Sequence, residues 1–239
     1  MTVVDPLPNV DQVIPDRSRV RALFDWLAPD YDVAVLTYSL AQDLRWKSEL
    51  VRRLRPRRGE RALDLACGTG LIYDRLERRL GREAIVGLDL NRAMLTAARR
   101  DGAGRRVVHA DCVRLPFRDA AFDLVTAAFG FRNLANYEQG VREIARVLKP
   151  GGEFGILEFS EPSRGPMAPL FRFYFRRILP LVGGAISGSL EAYSYLPRSV
   201  SKFPSPRELS LLLESNGFTE VKASSWNFGS VILHRAERN

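Results

Sequence analysis

The stretch Ala62-Leu63-Asp64-Leu65-Ala66-Cys67-Gly68-Thr69-Gly70 is an apolar run that ends in a glycine turn. Its pattern predicts a buried strand over 62–66 that feeds through the turn into a helix over 73–80. Glycines at such a turn let the backbone approach a ligand closely. The next apolar run, 84–90, carries Asp89, 19 residues after Gly70. A carboxylate there can accept hydrogen bonds from both ribose hydroxyls of a nucleoside. The dinucleotide fingerprint needs a third glycine for helix packing, and Tyr73 holds that position, which argues against nicotinamide. No Gly-Lys-Ser/Thr follows, which argues against a nucleoside triphosphate.

Strand patterns recur at 107–110, 122–129 and 153–159, with helical patterns at 93–100 and 137–148. This alternation predicts an α/β, Rossmann-like fold: a mostly parallel sheet with helices on both faces. Two further strands, 219–226 and 229–235, follow a helix at 205–215 and read as a closing hairpin. They bring the sheet to seven strands and predict one antiparallel edge strand. Upstream, Val20, Leu23, Phe24 and Leu27 fall at helical spacing, with Asp16 as N-cap, and a second helix spans 40–54. The expected organisation is a flexible N-terminus over 1–16 and a single domain over 17–239. That domain carries an N-terminal helical cap over 17–58 and a lid insertion over 160–204.

The chain of 239 residues carries a net charge of +8. Such a surface attracts nucleic acid or anionic lipid, but charge alone names no partner. The longest apolar stretch, Ile178 to Ile186, is about half a membrane span. Two cysteines, Cys67 and Cys112, make no disulfide framework and suit a reducing, cytoplasmic setting. The N-terminus is acidic and broken by prolines, unlike a signal or transit peptide.

Further segments extend the glycine loop. They are Ala110-Asp111-Cys112-Val113-Arg114-Leu115-Pro116-Phe117, Phe122-Asp123-Leu124-Val125, and Arg146-Val147-Leu148-Lys149-Pro150-Gly151-Gly152. In this order they resemble the class I methyltransferases. More specific are Ala128-Phe129-Gly130-Phe131-Arg132-Asn133-Leu134 and Leu157-Glu158-Phe159-Ser160-Glu161-Pro162. Val20 to Asp32 and Tyr193 to Val200 add to these. Together they resemble the ubiquinone/menaquinone biosynthesis C-methyltransferase family from Arg17 onward.

The resemblance implies S-adenosyl-L-methionine as methyl donor and a prenylated quinol as substrate, most simply demethylmenaquinol converted to menaquinol. The same fold acting on a soluble natural product is the alternative. Implied cofactor-binding residues are Asp64, Gly68, Thr69, Gly70, Asp89, Asp111, Cys112 and Ala128. Implied catalytic residues are Arg132, Asn133 and Tyr31, with Asp32 beside Tyr31 at the pocket mouth. Arg132 and Asn133 could instead be structural, as a partner of Asp111 and a helix cap. No metal and no nucleic acid are implied. A lipid substrate is compatible with peripheral contact at the inner face of an anionic membrane through Arg164, Arg172, Arg176 and Arg177, and with a homodimer. An apolar lid helix with solvated arginines explains the same stretch. The chain departs from the family at Val35, Ala41, Asp43 and Leu44, where Asn, Gly, His and Arg are usual, and at Ala128, where Ser is usual.

Overall fold

The computed structural model describes residues 22, 24–29, 31–39, 41–162, 169, 173, 177 and 190–239. The expected flexible segment 1–16, the Asp16 cap and most of the lid stretch lie outside these residues. Seven strands form one sheet in the order β3-β2-β1-β4-β5-β7-β6. They are β1 (Ala62–Leu65), β2 (Ile85–Asp89), β3 (Val107–His109), β4 (Phe122–Ala128), β5 (Leu148–Phe159), β6 (Phe218–Trp226) and β7 (Val231–Arg238). Strands β1 to β5 pair in parallel, while β7 runs against both β5 and β6. The expected hairpin closes the sheet, and its reversed strand is β7, between β5 and the outermost β6.

The helices are α1 (Tyr31–Tyr38), α2 (Gln42–Leu54), α3 (Leu71–Leu80), α4 (Arg92–Asp101), α5 (Tyr137–Val147), α6 (Leu190–Lys202) and α7 (Pro206–Ser215). Residues 22 and 24–27 are also helical. Alternate strand side chains serve two cores. Leu63, Val125, Phe154 and Ile156 pack under Val141 and Ile144 of α5 and Leu209 and Leu213 of α7. Ala62, Leu124 and Leu157 pack under Leu50, Val51 and Leu54 of α2 and Ile72 and Leu76 of α3. Period-2 strands thus sit between helices whose apolar stripes repeat at three and four residues. Ser205 begins α7 with a capping box to Glu208. No helix among the described residues is long and apolar enough to cross a membrane.

The stretch expected as one helix from 40 has a second helix, α1, before it. The two are divided at Ala41, whose φ is 58°. A Cβ disfavours that left-handed conformation. A glycine would suit the corner, and Ala41 occupies it with strain. Replacing Ala41 by Gly should therefore raise stability by about 1 kcal/mol, read as a higher urea midpoint at unchanged slope.

Candidate active site

Strand order reverses between β1 and β4, so the loops beyond their C-terminal ends diverge to opposite sides of the sheet. That crevice is where open α/β sheets bind ligands. Gly68 and Gly70 have φ of 53° and 94°, which bends the β1 loop into the start of α3. Ala66 and Phe129, at the ends of β1 and β4, also have positive φ, 48° and 59°. Such values are uncommon in residues with a Cβ and mark both strand ends as strained. Any Cβ on residue 130 would overlap Ala66 Cβ, so Gly130 lets the two loops touch. Tyr73 is fully buried where the dinucleotide fingerprint has its third glycine. Its hydroxyl accepts a hydrogen bond from the Arg106 N–H at 3.1 Å, filling the α3–sheet contact with an aromatic ring.

Asp64, Gly68, Thr69 and Ala128 line one cavity with Tyr31 and Lys47. The Asp64 carboxylate is buried. Its Oδ1 accepts from Thr126 Oγ1 at 2.8 Å, while Oδ2 has no hydrogen-bond partner. Burial raises its pKa from 3.8 to about 7. Asp89 Oδ2 accepts the Gly68 N–H at 2.9 Å and Oδ1 accepts the Asn91 N–H at 2.8 Å. Each carboxylate oxygen keeps a second lone pair for a ligand hydroxyl. Burial also pushes the Asp89 carboxyl up. Gly70 stands at the N-terminus of α3. Asp111 caps its own turn by accepting from the Val113 N–H at 3.1 Å. Cys112 is buried beside the same loops, and burial pushes its thiol up.

The N-terminal segment closes over these loops. Asp32 accepts from Thr69 Oγ1 at 2.7 Å, and Asp25 accepts from Asn91 Nδ2 at 2.9 Å. The Phe24 ring lies 6.3 Å from both Tyr31 and Tyr195. Phe24 thus bridges the start of α1 and α6.

Arg132 and Asn133 sit on a short 3-10 turn after β4. Arg132 is buried, and its partner is Glu158 of β5, at 2.8 Å, rather than Asp111. Its guanidinium also donates to the Phe129 carbonyl and, through Nε, to Ser199 Oγ at 3.3 Å. The Nη2 end makes no hydrogen bond among the described residues. Asn133 does not cap α5, since Asn136 does so by accepting the Gln139 N–H. Asn133 Oδ1 instead accepts from the Tyr195 hydroxyl at 2.5 Å, which directs the amide nitrogen away from Tyr195. Burial pushes the Tyr195 hydroxyl up to about 12, so it stays a donor.

Sequence reasoning had not singled out Glu158, Ser199, Tyr195 or Lys47 as site residues. Glu158 had a legible signal, a lone acid inside an apolar strand, which must be paired when buried. Lys47 had another, a charge on the apolar face of α2 in register with Leu50, Val51 and Leu54.

A seven-stranded sheet with its site at this switch point is the fold of S-adenosylmethionine-dependent methyltransferases. Such an enzyme from Thermotoga maritima superposes with a TM-score of 0.66 at 17% identity, over 91% of this chain and 99% of that one. The chain belongs to the ubiE/COQ5 methyltransferase family, which matches residues 12–238. The demethylmenaquinone methyltransferase of Thermus thermophilus is 42% identical over 220 residues, 90% of this chain and 100% of that one. The ubiquinone/menaquinone biosynthesis C-methyltransferase UbiE of Geobacter sulfurreducens is 39% identical over 228 residues, 92% of this chain and 89% of that one.

The raised Asp64 pKa has a stability consequence with a definite sign. The folded state favours the neutral acid, so this contribution is complete below pH 3.8 and is lost as pH climbs through about 7. The Asp64→Asn variant cannot ionise there. It should gain stability relative to the parent between pH 3.8 and about 7 and hold a constant difference above. Urea midpoints across that range check this.

Proposed function

We propose that this chain catalyses S-adenosylmethionine-dependent C-methylation of a prenylated quinol, converting demethylmenaquinol to menaquinol in menaquinone biosynthesis. The observation that carries the reading is the match to the ubiE/COQ5 family over residues 12–238. The residues present fit the methyl donor. Asp64 Oδ2 is a buried acceptor without a hydrogen-bond partner in the cavity, suited to the ammonium of a methionine head. Asp89 suits the ribose, and Asp111 with Cys112 suits the adenine. Gly68, Thr69 and Gly70 let the backbone lie against the nucleoside, and Ala128 leaves room beside it.

When bound, the donor supplies an electrophilic methyl group on a sulfonium sulfur. The ring carbon of a quinol is a weak nucleophile until a neighbouring hydroxyl loses its proton. The protein's task is to position that ring and stabilise the oxyanion as it forms. Arg132 is held on one side by Glu158, Phe129 and Ser199, which leaves Nη2 to donate to the oxyanion. Tyr195 holds the Asn133 carbonyl, so the amide nitrogen of Asn133 serves as a second donor, to the oxyanion or to a water that takes the proton. Tyr31 lines the cavity between the two groups of residues, and burial pushes its hydroxyl up, so it stays protonated and can donate. In this reading α1 and α6 wall the quinol side. The net charge of +8 favours peripheral contact with the anionic surface that holds a prenylated substrate.

With labelled S-adenosylmethionine and reduced demethylmenaquinone, label is expected in the quinone ring. Absence of label with a folded protein that binds S-adenosylhomocysteine returns the soluble-substrate alternative. Asn133→Ala should lower kcat by about 100-fold while leaving S-adenosylhomocysteine affinity unchanged, measured by steady-state kinetics and calorimetry.

A further inference from the structure

The cavity holds one group that the reading above does not use. Lys47 lies on α2 and lines the cavity together with Asp64 and Tyr31. It is a buried cation, its side chain only 8% exposed. Lysine side chains are almost never buried to this degree without a partner. The partner is Asp43, one helical turn earlier, with Lys47 Nζ 2.9 Å from Asp43 Oδ2 and the Asp43 side chain 3% exposed. Asp43 is itself one of the departures from the family pattern, standing where a histidine is usual. The Asp43 backbone N–H is tied to Ser39 Oγ at 3.4 Å, at the first turn of α2. The ammonium also lies 5.9 Å from the centre of the Phe129 ring, the strained residue that ends β4. Asp43 and Phe129 thus hold the ammonium on two sides.

An ammonium carries three donors, and Asp43 Oδ2 meets it as an ion pair without accepting a hydrogen bond. Across the cavity, Asp64 feels Lys47 as a charge that lowers its pKa, so the two groups share one electrostatic environment. The cavity therefore presents a buried cation with donors to spare and a buried carboxylate oxygen without a hydrogen-bond partner. A ligand that satisfies both must itself carry one anionic and one cationic group close together. A zwitterionic α-amino acid has that arrangement. We propose that Lys47, held by Asp43, is the cationic half of a two-sign clamp for the amino-acid head of S-adenosylmethionine, receiving its carboxylate while Asp64 receives its ammonium. This assignment rests on the methyl-donor reading above and adds a positioning residue to it. A carboxylate anchored on α2 ties the donor to the helix that packs over β5, and so fixes how far the sulfur sits from the β4 turn bearing Arg132 and Asn133.

The test compares two ligands that differ only at the head group. S-adenosylhomocysteine has the amino-acid head, and methylthioadenosine keeps the adenine, ribose and thioether without it. Calorimetry on the full chain measures both. Lys47→Met alone strands a buried Asp43 charge, so Asp43→Asn/Lys47→Met is measured beside it and removes both charges together. The double variant is expected to bind S-adenosylhomocysteine about 10- to 100-fold more weakly and methylthioadenosine as the parent does. Unchanged methylthioadenosine binding also reports that the site is still folded. A parallel loss for both ligands, or no loss for either, overturns the clamp and leaves the methyl-donor reading standing. Failure of the parent to bind either ligand overturns both.

Discussion

The buried ion pair between Arg132 and Glu158 joins three segments that are far apart in sequence: the turn after β4, the end of β5 and helix α6. Burying two charges costs several kcal/mol per ion unless their remaining donors and acceptors are met. Here they are met. Glu158 accepts the N–H groups of Arg132 and Phe159, and the guanidinium reaches the Phe129 carbonyl and Ser199. Removing one partner of such a pair typically costs about 3–5 kcal/mol, because the other charge is left uncompensated. The pair also holds Phe129 at the positive φ that ends β4, and so sets the course of the 130–133 turn. One edge of the guanidinium is spent on the scaffold, and the proposed function assigns the other to the substrate.

Around that pair the site is assembled from both ends of the chain. Parallel β1 and β4 lie side by side, so their outgoing loops must part, and only Gly130 allows them to touch at the base. Asp32 and Asp25 then draw the N-terminal helices down onto Thr69 and Asn91. Phe24, Tyr31 and Tyr195 close the far side with ring contacts. Helix α2 lies over the other flank, with Trp46 packed on Phe129 and Lys47 turned to the cavity. Most polar residues at this centre are partnered within the packing, as Arg132, Glu158, Asp89 and Asn133 are. The Asp64 oxygen and the Lys47 donors stand out because they face the cavity rather than the fold.

Much of this was legible in the sequence. Alternating strand and helix patterns fixed the parallel sheet, because a strand has period two and an amphipathic helix period 3.6 whatever surrounds them. The glycine loop, Asp89 and Asp111 were legible because each must stand at the end of a strand, and strand ends can be read locally. Tyr73 argued against one cofactor class from a single position. Other features could not be read so directly. The division of the stretch before Leu54 into α1 and α2 depends on the backbone conformation of Ala41, which composition does not reveal. Arg132 had two local readings, and its actual partner lies 26 residues away on a neighbouring strand.

The glycine loop alone left the ligand open, and together with Asp89 and Asp111 it pointed to a nucleoside site, since turn geometry and carboxylates at strand ends are short-range properties of the chain. What fills the rest of the site was decided by tertiary structure. Whether Arg132 meets Asp111 or Glu158, whether Asn133 caps a helix or receives Tyr195, and whether Lys47 points to water or into the cavity all depend on which distant segments pack together. Burial is a property of the assembled layers. It turns an ordinary lysine and an ordinary aspartate into a pair whose charges must be answered, by the protein or by what it binds.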